Sequence, residues 1–166
     1  MDDYYFLDDA ESFVFSAENQ TGTKEGGGRG GDCTKLSPKI YMEPGQTVTI
    51  AEIDGPGEID HMWFTGVINH GCIIRIYWEN SEIPSVESPL PAFFGCENMR
   101  DVDGRYPFLN SSMIMVAPAR GYNCYWRMPF HSHCKITITN IGVEKQILYY
   151  VVAGKRKKQP ENIGYF

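Results

Sequence analysis

Carboxylates are the residues with the widest chemical reach in this 166-residue chain. Glu18, Glu52, Asp54, Glu58, Asp60, Glu79, Glu82 and Glu87 are spread between positions 18 and 87. Hydrolysis of a glycosidic bond needs only two carboxyls, about 5 Å apart for retention or about 6.5–9.5 Å for inversion. Spacing along the chain does not fix that separation, so no catalytic pair is assigned. His131-Ser132-His133 would put two imidazoles on one face of a strand beside Cys134, as in metal-binding double-stranded β-helices. Thr137 and Ile138 stand where such a site needs its glutamate. A polar strand end after Pro129 is the stronger reading, and neither metal nor cofactor is assigned. Gly26-Gly27-Gly28-Arg29-Gly30-Gly31 satisfies G-x-G-x-x-G formally, but no strand precedes it and no helix N-terminus follows to hold a pyrophosphate. It reads as a flexible loop with Arg29 as its one charged projection, a guanidinium suited to a carboxylate or to sugar hydroxyls. No G-x-S-x-G, Walker loop or H-E-x-x-H occurs, which removes support for serine-nucleophile, P-loop and zinc-protease chemistry.

Aromatic side chains are the other candidate contacts, because the axial C–H face of a sugar ring suits a π-surface. Most of Trp63, Tyr77, Trp78, Phe93, Phe94, Tyr125, Trp126 and Phe130 belong in a core. The run Tyr125-Trp126-Arg127-Met128-Pro129-Phe130 is the least core-like, since Arg127 interrupts it and Pro129 stops it; Trp126 or Arg127 is expected to face a ligand or a partner chain.

The formal charge of −6 argues against a nucleic-acid surface, which needs clustered Lys and Arg. The one basic run, Lys155-Arg156-Lys157-Lys158, reads as a solvated loop. No apolar stretch approaches the ~20 residues of a membrane span, and Met1-Asp2-Asp3 is the opposite of a signal-peptide start. The expected location is cytoplasmic. The five cysteines include no Cys-x-x-Cys, so free thiols are expected.

Positioning these groups falls to strands. Helical periodicity is nearly absent, whereas short runs of period-two alternation recur between Gly, Pro, Asn and Asp. Strands are expected at Thr47–Ile53, Ile59–Ile68, Cys72–Trp78, Met113–Val116, Tyr122–Met128, Lys135–Asn140 and Gln146–Val152. Cys72–Trp78, apolar on both faces apart from Arg75, suits the middle of a sheet; the prolines of Ile83–Pro91 confine that stretch to an edge or a loop. Glu79–Glu82 reads as a turn. Lys135–Asn140 alternates most cleanly, with Ile136 and Ile138 inward and Lys135, Thr137 and Thr139 outward. Eight to ten such strands without crossover helices imply an all-β, antiparallel jelly-roll β-sandwich, in one domain over residues 1–166 with residues 1–12 as a flexible N-terminal arm.

Taken in order, several segments resemble one family. They are Glu18-Asn19-Gln20-Thr21-Gly22 before the glycine loop, Ala51 to Ile59 with His61-Met62-Trp63-Phe64-Thr65, Ile74 to Asn80, Ile83 to Pro89 with Phe93-Phe94-Gly95, Tyr125 to Phe130, and Gly164-Tyr165-Phe166. From about Phe13 to Phe166 the chain resembles the N-terminal part of domain-of-unknown-function family 2961, now largely glycoside hydrolase family 172. The resemblance implies a jelly roll, symmetric trimers or hexamers, and a retaining furanosidase acting without metal on fructo- or arabinofuranosides. It also implies that the catalytic glutamates lie in a second jelly roll beyond Phe166, so none is carried over. Three readings stay open: a piece of a longer enzyme, a single-jelly-roll relative that binds or assembles without hydrolysing, as lectins and capsid-like shells do, or a subunit completing a site with another chain. Candidate ligand or partner contacts are Glu18, Asn19, Arg29, Trp63, Trp126 and Arg127, with Glu87 added by analogy between tandem jelly rolls.

Overall fold

A computed structural model describes residues 8–66, 68–96, 108–117 and 121–166, apart from the Cys33 side chain. Twelve strands are present among them: β1 (Glu11–Ser16), β2 (Ile40–Met42), β3 (Thr47–Asp54), β4 (Gly57–Gly66), β5 (Cys72–Trp78), β6 (Val86–Pro89), β7 (Leu109–Asn110), β8 (Ile114–Ala117), β9 (Gly121–Cys124), β10 (Met128–Phe130), β11 (His133–Asn140) and β12 (Gln146–Arg156). A single helical turn, α1 (Leu90–Phe93), follows β6. All pairings are antiparallel.

One sheet contains the order β1-β12-β4-β9 and the other is β3-β11-β5-β6. Taken in chain order, these eight strands switch layers at every step except β5 to β6, which pair with each other, and this is the double Greek key of a jelly roll. The larger sheet continues through β8 and β7, and β10 and β2 attach to β4 and β12. These four short strands raise the total to twelve, above the eight to ten expected.

Alternation buries one face of each strand. Cys72, Ile74, Ile76 and Trp78 of β5, Cys134, Ile136 and Ile138 of β11, Met62 and Phe64 of β4, and Leu148, Tyr150 and Val152 of β12 all face the space between the sheets. β5 lies between β11 and β6, and proline-rich β6 forms the edge, as their compositions required. A bulge between β3 and β11 inserts one residue, so Ile50, Ala51 and Ile53 are all buried while Glu52 points out. Thr137 and Thr139 lie on the outer side yet are only 5% and 9% exposed, because Arg75 lies across them and donates to the Thr139 hydroxyl at 2.7 Å.

Several boundaries move. The expected strand Ile59–Ile68 runs from Gly57 to Gly66. Tyr122–Met128 splits into β9 and β10, leaving Tyr125, Trp126 and Arg127 exposed between them. The basic run is not a loop throughout: Lys155 and Arg156 end β12, paired with Ser12 and Glu11 of β1. Of the expected N-terminal arm, residues 1–7 lie outside the described residues and Glu11 and Ser12 belong to β1.

Candidate functional site

The segment after β1 builds an open cleft of about 540 Å³. Asn19 organises it. Its amide donates to the carbonyls of Val14 at 3.0 Å and Thr23 at 2.9 Å, and a Cβ at Gly26 would overlap that amide. The glycine is therefore what lets the loop close over Asn19. Asn19, Thr21, Gly26 and Gly27 line the cleft on one side; Phe13 and Arg156 line it on the other, with the Arg156 guanidinium 5.5 Å from the Phe13 ring. Glu18 is not among the lining residues. Its two oxygens accept from the backbone N–H groups of Leu36 at 2.8 Å and Ser37 at 2.6 Å, and these bonds hold its carboxyl below the usual range. Arg29 donates through Nε to the Glu25 carbonyl at 2.9 Å and is exposed. Only a 3-10 turn at Gly31–Cys33 follows, with Asp32 left-handed inside it, so no helix terminus is present to cradle a phosphate.

The outer face of the larger sheet holds Trp63. It is half-buried and sits in a rank with Val151 on one side and Asn123, then Met115, on the other. His61 accompanies it, stacked on Tyr125 at 4.9 Å and 3.2 Å from the Asn123 amide oxygen. The neighbouring outward positions are Val14, Ser16, Thr65, Tyr149 and Ala153. None of these ten side chains is an acid, lysine or arginine.

Arg127 finds a carboxylate that sequence did not single out. Glu58 is 5% exposed and accepts from Arg127 Nε at 2.9 Å and Nη2 at 2.7 Å, with Lys157 Nζ 3.9 Å away. A buried carboxylate needs such a partner. Trp126 is 43% exposed and leans on the Phe166 ring at 5.7 Å. Trp126→Ala is expected to cost about 1 kcal/mol, the value of a partly exposed aromatic pair, and to leave the fold cooperative in thermal denaturation. Collapse on this substitution would mean that Trp126 is structural rather than a contact for a ligand or partner.

The remaining candidates lie apart from these. Glu87, on edge strand β6, pairs with Arg75 at 2.5 Å on the outer face of the smaller sheet. His131 precedes β11 and meets the Tyr165 ring at 6.5 Å, whereas His133 opens β11; the two imidazoles do not share a strand, and no group of three or more potential metal ligands occurs among the described residues. Cys72, Cys96, Cys124 and Cys134 are free and buried. Burial raises each thiol, that of Cys124 to about 11, so none is a thiolate nucleophile at neutral pH. No helix is long and apolar enough to cross a membrane among the described residues.

Two features escaped sequence reasoning because they depend on pairings across the fold. One is the Glu79 carboxylate, which gathers donors from His131 and Ser132. The other is a cleft on the smaller sheet around Glu52, Tyr77 and His133. Over residues 10–166 the sequence matches the family described as GH172 first beta-sandwich domain. No curated protein matches the chain.

Proposed function

The chain belongs to the family of GH172 first β-sandwich domains, and from that premise we propose that it is the scaffold and association domain of a retaining furanosidase acting on fructo- or arabinofuranosides. The observation that carries this reading is the outer face of the larger sheet. Val14, Trp63, Met115, Val151 and Ala153 give it an apolar centre, with Lys39 over the Tyr149 ring at one side and the Glu58–Arg127 pair at another, an apolar patch with a charged rim such as meets another protein surface. A homo-oligomer, trimeric or hexameric, would cover it, with residues 1–166 forming one jelly-roll unit.

Retaining hydrolysis requires a nucleophilic carboxylate and an acid/base about 5 Å apart. The family resemblance assigns those glutamates to a second sandwich, so this domain supplies no catalytic carboxylate. Its contribution to substrate is the glycine-loop cleft, where Arg156 offers donors to sugar hydroxyls and Asn19, its amide hydrogens given to the Val14 and Thr23 carbonyls, holds the wall in shape. Four buried free thiols agree with a cytoplasmic setting.

Size-exclusion chromatography with light scattering tests the association. The chain is expected to oligomerise, and Trp63→Glu or Val14→Glu to yield a folded monomer by circular dichroism. A wild-type chain that stays monomeric at high concentration removes the interface role. On p-nitrophenyl furanosides the chain alone is expected to give no turnover, and hydrolysis would overturn the assignment of catalysis elsewhere.

A further inference from the structure

The outer face of the smaller sheet divides into two halves with opposite character. In one, every charge is answered: Arg75 pairs with Glu87 at 2.5 Å and donates to Thr139 at 2.7 Å, and Thr139 shares a hydrogen bond with Thr47 at 2.8 Å. In the other, Lys135 stands between Glu52 and Tyr77 across three strands. His133 lies two residues along on the same side. The turn after β5, with Glu79 at φ 56° and Asn80 at φ 61°, raises Asn80, Ser81 and Glu82 into a wall beside them. The result is a cleft of about 380 Å³, within the range of about 300–1,000 Å³ typical of small-molecule sites.

Its polar atoms are largely unspent. No hydrogen bond or ion pair to the side chains of Tyr77, Asn80, Glu82 or Lys135 occurs among the described residues. His133 Nε2 is 3.6 Å from Glu52 Oε1, an ion-pair distance too long for a good hydrogen bond. His133 Nδ1 is buried with no partner at all. The ring thus makes no close hydrogen bond through either nitrogen, and Nε2, beside Glu52 in the cleft lining, is the one a group from outside the chain would reach.

The lining decides the class of that group. Two carboxylates against one lysine disfavour an anion. An apolar ligand would strand the carboxylates, the amide and the ammonium without hydrogen bonds. Hydroxyl groups, which both donate and accept, match carboxylate, amide, imidazole and ammonium together, and a tyrosine ring beside them suits a sugar face. We propose that this cleft binds the end of a neutral saccharide, with Tyr77 as platform and Glu52, Asn80, Glu82 and His133 holding its hydroxyls. The site is distinct from the glycine-loop cleft and does not depend on the association reading.

The test is calorimetric titration of the full chain with three neutral trisaccharides, built of fructofuranose, arabinofuranose and glucopyranose. At least one is expected to bind saturably, and the His133 ring protons to shift in NMR spectra on addition of that sugar. Tyr77→Ala and Glu82→Gln, both at surface positions, are expected to weaken binding about tenfold, equivalent to about 1.4 kcal/mol. Asn19→Ala, in the other cleft, is expected to leave it unchanged. The proposal is overturned by absence of binding for all three sugars up to tens of millimolar, or by binding that survives Tyr77→Ala and Glu82→Gln. Binding lost on Asn19→Ala alone overturns it too, while leaving the scaffold reading in place.

Discussion

Gly154→Ala is expected to lower the melting temperature by about 6–12 °C, the equivalent of about 3 kcal/mol in a domain of this size. A Cβ at this position would overlap the carbonyl oxygen of Glu58 and come within 2.7 Å of Phe13 Cζ and 2.9 Å of Ile59 Cα. Two of these three atoms are backbone, so no rotamer change relieves the clash. The residue sits where the β12–β4 register shifts. Ala153 pairs with His61 and Gly154 with Ile59, leaving Asp60 as the extra residue. That bulge changes the parity of β4, so Ile59 and Met62 both face the core while Glu58 and His61 both lie on the outer side. Close approach at Gly154 is thus part of what aims Glu58 at Arg127. Gly164→Ala is the control: nothing lies within 4 Å of its Cβ, and a change within about 0.5 kcal/mol is expected. Equal effects of the two substitutions would show that the β12–β4 approach has room to spare.

Bulges also mark where legibility in the sequence ended. Strict alternation from Ile50 would turn Glu52 toward the core and Ile53 toward solvent. The structure does the reverse, because the inserted residue flips every side chain beyond it. Where no bulge intervenes, as in Lys135–Asn140, the inward and outward assignments hold: Ile136 and Ile138 are wholly buried. The class of fold was readable because turn residues and period-two runs are local signals. The pairings of β1 with β12 and of β3 with β11 were not, since the first joins residues separated by most of the chain and the second residues separated by about half of it. The candidate site suffered for the same reason. Trp126 and Arg127 stood out because Arg127 and Pro129 interrupt an aromatic run, a local irregularity. Glu58, the carboxylate that receives Arg127 from 69 residues away, carried no local mark. The basic run misled for a different reason: lysine and arginine stems pack along a strand while their charges stay in water, and Lys155 and Arg156 do so in β12.

Glu79→Ala is expected to cost about 2 kcal/mol, the loss of an ionised acceptor serving several donors at a partly exposed site. Glu79 and Asn80 are both left-handed and Ser81 N–H reaches the Trp78 carbonyl at 3.0 Å, a type I′ turn that favours Asn or Gly at its centre. Glutamate occupies the first central position because of its side chain. The carboxylate accepts from the His131 N–H at 2.6 Å, the Ser132 N–H at 2.7 Å and the Ser132 hydroxyl, and also from the Tyr165 hydroxyl. It thereby ties β5 to the β10–β11 connection and to Tyr165, whose ring and that of Phe130 both stack on Trp78, at 6.4 and 6.1 Å. Glu79→Gly removes the same acceptor but relieves the positive φ, so it should be milder than Glu79→Ala by about 1 kcal/mol.

The same bonds give a sign for acid. Burial alone would raise the Glu79 carboxyl, but the bonds from Ser132, His131 and Tyr165 outweigh it and hold the group below 4.5. A carboxyl lower in the folded than in the unfolded state adds stability that is complete above the unfolded value and fades as pH falls through the folded one. The stability difference between wild type and Glu79→Gln should therefore stay constant from neutral pH to about 5 and shrink below it. Tyr165 moves oppositely: burial and the neighbouring Glu79 charge raise its phenol, so its contribution is complete below the unfolded value and fades only as pH rises through the folded one. Tyr165→Phe should accordingly flatten the alkaline limb and, by removing one of the bonds that lower Glu79, make the acid limb somewhat shallower. An unchanged acid limb in Glu79→Gln, followed by urea denaturation across pH, would assign that limb to another carboxylate.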